Sequence, residues 1–263
     1  DFDEVRNKIS KKTKVIIPVH MLGQPCNMNK LKKIIRKKNI KIIEDNCEAI
    51  GSKISKKYAG TLGDIGVFSF DFGKIITTGE GGAILTNKFN HFKYCREYHD
   101  HGHENNIKLP RGKDTKSIPG FNYRITELQA AIGKVQLKKL TTILKNNKKK
   151  YNLLENKIKK CFQIRTCPKN NQQIHDTFIF FEKNPKLRDK IIKILKKNKV
   201  GTKVLPDAME WHCSFFWNHA LSKKNTLNSK KTLNYLKEAI AIPVNFKTQI
   251  NVYKKVAKEI CEL

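Results

Sequence analysis

The residues with the most chemical potential lie in FSFDFGKIITTGEGG (68–82), where Lys74 stands between an apolar run and the glycines Gly79, Gly81 and Gly82. A lysine amine can attack carbonyl carbon, and it can carry a proton where its site favours the neutral form. Ser69 lies just upstream in the same run, and Asp45 closes an earlier one, IKIIEDN (40–46). Pyridoxal phosphate needs this set of groups: a lysine for a Schiff base, an acid that keeps the pyridine nitrogen protonated, and hydroxyls or backbone amides for the phosphate. Taken singly, each signal has a plain structural reading as a turn cap, a solvated lysine or a glycine turn. Together and in this order they point to that cofactor.

The elements that must position these groups follow from periodicity. KVIIPVH (14–20), MNKLKKIIRKKN (28–39) and IKIIEDN predict strand, helix and strand, a βαβ unit and hence a parallel sheet. GVFSFDF and GGAILTN predict two further strands around the lysine loop, and FNHFKYCREYHDH predicts a helix. In such sheets the loops at the strand C-terminal ends converge on a crevice, which is where Asp45 and Lys74 fall. The spacing Ile125, Leu128, Ile132, Val135 predicts an amphipathic helix that runs past Lys148 and joins two domains. Beyond it come a strand in HDTFIFFEK, a helix in PKLRDKIIKILKKN, an irregular stretch around Trp211 and Trp217, and a last helix in NVYKKVAKEICEL. The expected architecture is α/β: a large domain over residues 1–140 with a parallel-rich sheet, then a linking helix and a smaller α+β domain over 141–263.

Composition narrows the class. The chain has 263 residues, enough for one large or two unequal domains, and no internal repeat. It carries 54 Lys+Arg against 23 Asp+Glu, a net charge of +31. The lysines are spread through loops and polar helix faces with abundant Asn and Ile, without a nucleic-acid-binding motif, so a solvated surface or a face that attracts an anionic substrate is the expectation. The seven cysteines are scattered and never spaced C-x-x-C, which argues for reduced thiols over a zinc ribbon or a disulfide framework. Without a long apolar run or a signal-peptide core, a cytoplasmic protein outside the membrane is expected.

The sequence resembles the DegT/DnrJ/EryC1/StrS family of sugar aminotransferases, fold-type I enzymes dependent on pyridoxal phosphate. PVHMLGQPCNM, IIEDNCEAIGS, GTLGDIGVFSFDFGKIITTGEGGAILTN and GFNYRITELQAAIG carry the resemblance. It implies that Lys74 binds the cofactor covalently and moves the proton, that Asp45 pairs with the pyridine nitrogen, and that Ser69 binds phosphate. It further implies a homodimer with shared active sites, in which Asn122 and Arg124 reach the neighbouring subunit's site, Asn122 at the phosphate. The dehydratase branch carries histidine where Lys74 stands, which implies an aminotransferase here.

Two departures from the family pattern stand out. Glu48 occupies a position, near the ring hydroxyl, where the family commonly has Gln or His; a second carboxylate there must be neutral or paired. The chain also opens where the family has already passed its first quarter to third, so the expectation is of a fragment that alone binds the cofactor weakly and has little activity.

DHGH, the lysine segment and WHCSFFWNH (211–219) resemble the branch that makes 8-amino-3,8-dideoxy-manno-octulosonate from an 8-oxo sugar acid with L-glutamate as donor. This implies substrate contacts at His101, His103, Trp211 and His212, although buried core is the default reading for Trp211 and Trp217. The alternative is a perosamine-type aminotransferase of nucleotide-linked 4-keto-6-deoxysugars; outside that class, a silent regulatory relative or a nucleic-acid-binding protein. The histidines and carboxylates of YHDHGHENN (98–106) alternate as in a strand, and a polar loop is expected there ahead of a metal site.

Overall fold

The computed structural model describes every residue except Lys37, Arg111 and Lys116. The chain divides into two compact units, Asp1–Thr141 with Pro168–Ile174, and Thr142–Cys167 with His175–Leu263.

The first unit is built on a four-stranded sheet, in the order β1 (Val15–Ile16), β2 (Lys41–Asp45), β5 (Ile65–Ser69), β6 (Gly82–Leu85). The first three run parallel and β6 is antiparallel to β5. A hairpin of β3 (Lys53–Ile54) and β4 (Lys57–Tyr58) pairs with β8 (Asn171–Gln172). Around the sheet lie α1 (Phe2–Lys8), α2 (Met28–Ile35) and α3 (Phe89–Tyr98). The Asn27 side chain caps α2 by accepting the Lys30 N–H, and Met28, Leu31 and Ile35 face the sheet with Ile40 and Ile42. The helix is shorter than the pattern over 28–39, because the turn into β2 takes up its last residues.

The strand predicted over 14–20 is also shorter, since Pro18 has no N–H to give to the ladder. Pairing resumes beyond it, where the Asp45 N–H donates to Pro18 O (3.0 Å) and the His20 N–H donates to Asp45 O (2.9 Å). The backbone of Asp45 is thus held on both of its polar groups. In β2, Ile42 and Glu44 point to the buried face of the sheet and Ile43 and Asp45 to the other. That second face is lightly covered: Ile17, Val19 and Ile84 are exposed on it.

Gly66 is paired in register with Glu44, and a Cβ there would lie 1.9 Å from Gly60 O. The missing side chain lets the Gly60–Gly63 loop lie directly on the sheet. Gly66→Ala is therefore expected to cost at least about 1–3 kcal/mol by overpacking, read as a lowered urea midpoint with the m-value unchanged.

The helix α4 (Glu127–Ile158) begins in the first unit and continues into the second. At its start Thr126 and Gln129 form a reciprocal cap: Thr126 Oγ1 accepts the Gln129 N–H while Gln129 Oε1 accepts the Thr126 N–H.

The second unit holds an antiparallel sheet of β7 (Gln163–Ile164), β9 (Thr177–Phe181) and β10 (Ala239–Pro243), with β9 central. Its helices are the latter part of α4, α5 (Pro185–Lys197), α6 (Met209–His212), α7 (Lys223–Leu227), α8 (Lys230–Lys237) and α9 (Ile250–Cys261). The core gathers Tyr151 and Leu154 of α4, Phe178 and Phe180, Ile240 and Ile242, and Tyr253 and Val256 of α9. The core expected for Trp211 and Trp217 does not include them, since they are 80% and 38% exposed, and the run AIAIP forms a strand that its sequence pattern does not announce.

Candidate active site

The lysine loop is a braced turn. The Lys74 N–H donates to Asp71 O (3.0 Å), the Gly73 N–H to Asp71 Oδ1 (3.0 Å), and the Asp71 N–H to Ser69 Oγ (3.2 Å). The loop is closed where Phe70 exchanges backbone bonds with Gly81 and Thr78, and Gln129 Nε2 donates to Glu80 O (3.0 Å) from the start of α4. Because Ser69 Oγ serves as acceptor within the loop, its hydroxyl proton is left to donate outward.

Lys74 Nζ lies 3.7 Å from Glu48 Oε1, and Glu48 Oε2 accepts the Leu22 N–H at 3.0 Å. The concern over a second carboxylate is thus met: Glu48 is paired. Asp45 Oδ1 accepts the Cys47 N–H at 3.1 Å. Burial, the Asp45 hydrogen bond and the Asp45 charge push the Cys47 thiol up to about 12, against the pull of Lys74. All of these groups therefore share one electrostatic neighbourhood at the C-terminal ends of β2 and β5. Ser69 belongs to it by register, two residues beyond the Asp45–Val67 pair and on the same face. The neighbouring Asn46 carboxamide is buried and its two polar atoms have no partner among the described residues, which is costly unless a further polar group binds there.

Behind Asp45 lies a network that sequence reasoning missed. His20 and Glu44 are both fully buried and joined by His20 Nε2 to Glu44 Oε2 at 3.0 Å. His20 Nδ1 accepts the Cys26 N–H at 2.9 Å, so the ring proton on Nε2 is the one donated to Glu44. Glu44 also accepts backbone N–H groups from Gly60, Leu62 and Gly63. Burial alone would raise the Glu44 carboxyl, but the His20 bond and the three N–H donors outweigh it and hold the group below the ordinary glutamate value. The readable signal was a carboxylate at an inward position of an apolar strand, which demands partners.

The remaining predicted residues fall into other groups. Arg124 is paired with Asp100 of its own chain, and Asn122, exposed, bridges to Asp100 through the backbone. His103 Nδ1 meets Asp114 Oδ1 at 3.0 Å, a bond that holds Asp114 below the ordinary carboxylate value. His101 is in a turn with positive φ, within a segment expected to be a polar loop, and stacks edge-on against His103. No group of three or more His, Cys, Asp or Glu among the described residues could hold a metal ion. Trp211 and His212 belong to α6 of the second unit.

The model of the DegT/DnrJ/EryC1/StrS aminotransferase family matches residues 1–261. The chain belongs to this family. Among curated relatives it is 34% identical over 175 residues to the GDP-perosamine synthase of Escherichia coli O157:H7, covering 66% of this chain and 46% of that protein. It is 42% identical over 132 residues to the GDP-perosamine synthase of Caulobacter vibrioides, covering 50% and 34%. It is 29% identical over 230 residues to the lipopolysaccharide biosynthesis protein RfbH of Salmonella typhimurium, covering 78% and 53%. The chain thus spans about half or less of these relatives' length. Among solved structures, a GDP-4-keto-6-deoxymannose-3-dehydratase with a trapped PLP-glutamate geminal diamine matches with TM-score 0.82 at 23% identity, covering 99% of this chain and 71% of that one. The putative sugar aminotransferase Spr1654 from Streptococcus pneumoniae in its PMP form matches with TM-score 0.81 at 20% identity, covering 99% and 72%. These likenesses establish the fold, that of the PLP-dependent fold-type I sugar aminotransferases.

Proposed function

We propose that this protein is a pyridoxal-phosphate-dependent aminotransferase that moves the amino group of L-glutamate to a keto sugar in the synthesis of surface polysaccharide. The observation that carries the reading is Lys74 Nζ, 3.7 Å from the Glu48 carboxylate in the cluster that also contains Asp45. The groups present fit the cofactor: the Asp45 carboxylate for the pyridine nitrogen, the Ser69 hydroxyl for the phosphate, and Lys74 for covalent attachment. When bound, pyridoxal phosphate supplies an electron sink that makes the substrate's α-proton removable. Lys74 then takes that proton at Nζ and returns it, aimed by Glu48, which the Leu22 N–H fixes from behind. The Asp45 carboxylate would accept a hydrogen bond from the protonated ring nitrogen, and its own backbone is clamped between Pro18 and His20.

The perosamine synthases among the relatives favour a nucleotide-linked 4-keto-6-deoxysugar, and this reading is taken ahead of the 8-oxo-octulosonate. Either substrate is anionic and suited to a basic surface. His101, His103, Trp211 and His212 remain the candidates for substrate contact. The cytoplasm, where cofactor and glutamate are both supplied, is the fitting compartment. The test is the glutamate half-reaction at saturating pyridoxal phosphate in protein extended to the full length of its relatives: one equivalent of 2-oxoglutarate per site supports the reading, and none refutes it. Comparing a nucleotide-linked 4-keto sugar with an 8-oxo sugar acid as acceptor then decides the substrate.

A homodimer completes the proposal. Leu128, Ile132 and Val135 lie along one stripe of α4, at helical spacing, and are 81%, 49% and 50% exposed. Such a stripe on a surface helix calls for a partner, and a second copy would cover it. The double variant Leu128→Glu with Ile132→Glu is expected to run as a monomer in light scattering where the parent runs as a dimer. A monomeric parent would overturn this part.

A further inference from the structure

Cys161 and Cys261 are 100 positions apart in sequence yet meet in the second unit. Cys161 follows the end of α4, Cys261 is the last residue of α9, and their thiols are close enough for Cys161 to perturb the ionisation of Cys261. Both sulfurs also bond to one backbone acceptor, Lys157 O, at 4.0 Å from Cys161 Sγ and 3.7 Å from Cys261 Sγ. The backbone around the pair is anchored by Ile158 and Ile260, each fully buried in the core of this unit. Cys161 is exposed and Cys261 half-buried, so a small oxidant has access to one sulfur while the other waits beside it.

We propose that Cys161 and Cys261 form a redox-modification site, at which a small-molecule disulfide such as oxidised glutathione converts the two thiols into one intrachain disulfide joining the ends of α4 and α9. The Cys161 thiolate attacks a sulfur of oxidised glutathione and releases one glutathione thiolate. Cys261 then gives its proton to solvent, its sulfur attacks Cys161 Sγ, and the second glutathione leaves. Two protein thiols are oxidised and one disulfide is reduced to two glutathione thiols, so electrons and protons balance.

The electrostatics suit this order. Burial, the proximity of the Cys161 thiol and its charge push the Cys261 thiol up to about 12, while Lys157 pulls the other way. Capping Cys161 with glutathione removes the two contributions that Cys161 makes and leaves burial opposed by Lys157. Cys261 is thus the protected thiol at rest and becomes the resolving thiol once its neighbour is modified. C-x-x-C spacing could not reveal such a pair, because its proximity is made by the fold.

The test is incubation of the folded chain with oxidised glutathione, followed by intact mass and non-reducing peptide mapping. The expected product lacks two titratable thiols, contains a cross-linked peptide pair bearing Cys161 and Cys261, carries no glutathione there, and reverts with dithiothreitol. Closing a loop of ~100 residues should raise its thermal midpoint by several degrees. Cys261→Ser should instead accumulate one stable glutathionyl group on Cys161, and Cys161→Ser should give neither product at these positions. A stable glutathionyl adduct on Cys161 in the parent, cross-links at other cysteines only, or a cross-link that forms only in denaturant would each overturn the proposal.

Discussion

Lys74→Ala is expected to lower the single-turnover rate of the glutamate half-reaction by at least about 10²–10⁴-fold, the range that a positioned proton-transfer group contributes. The Lys74 backbone N–H remains bonded to Asp71 O whatever the side chain, and the Gly73 and Asp71 N–H bonds brace the loop independently. The far-ultraviolet spectrum and unfolding midpoint of the variant should therefore match the parent closely. Removing the ammonium group leaves Glu48 partly exposed and without its cationic neighbour, a cost water largely offsets. A lost amine can be supplied from solution, so methylamine should restore part of the rate to the alanine variant. Normal turnover by Lys74→Ala, or a defect that methylamine does not touch and that follows global unfolding, would contradict the assigned role.

The second large effect lies on the opposite face of β2. Glu44→Gln removes a buried charge that His20 and three backbone N–H groups surround, and the carboxamide turns an NH₂ toward at least one of those donors. Leaving buried donors unpaired in this way should cost ~3–5 kcal/mol, read from urea unfolding at neutral pH. The pH dependence has a definite sign. The Glu44 carboxyl is held below its unfolded value, so its contribution is fully present above the ordinary glutamate range and is lost as pH falls through the folded value. The stability gap between parent and Glu44→Gln should therefore be widest near neutrality and should narrow as the solution is acidified. A gap that stays constant, or widens, on acidification would show that the Glu44 charge is not what the network stabilises. Because Glu44 sits one residue from Asp45 and His20 clamps the Asp45 carbonyl, the same variant should also weaken cofactor binding without touching Lys74.

These two positions differ in how far the sequence could disclose them. Lys74 was legible because its context is local: a strand, a short loop and glycines within a few residues, matching a specific family segment. Asp45 was legible as the last polar residue of an apolar strand. Glu44 and His20 were not, since their meaning is a contact between positions 24 residues apart and a loop that Gly66 admits onto the sheet. The parallel βαβ unit, α4 and α9 followed from periodicity, whereas AIAIP, apolar on both faces, has no alternation to separate strand from buried helix. Trp211 shows the limit of composition: a large aromatic is buried by default, yet this one stands almost fully in solvent.

The most direct test of the central claim is borohydride reduction of the purified chain with saturating pyridoxal phosphate, followed by peptide mapping of the pyridoxyl label. Reduction captures even weak occupancy, and the chain offers 47 lysines as a background against which selectivity can be judged. The account predicts label concentrated on Lys74 above every other lysine, suppressed by competing pyridoxamine phosphate and abolished in Lys74→Ala. Label scattered over surface lysines, unchanged in Lys74→Ala, would contradict it.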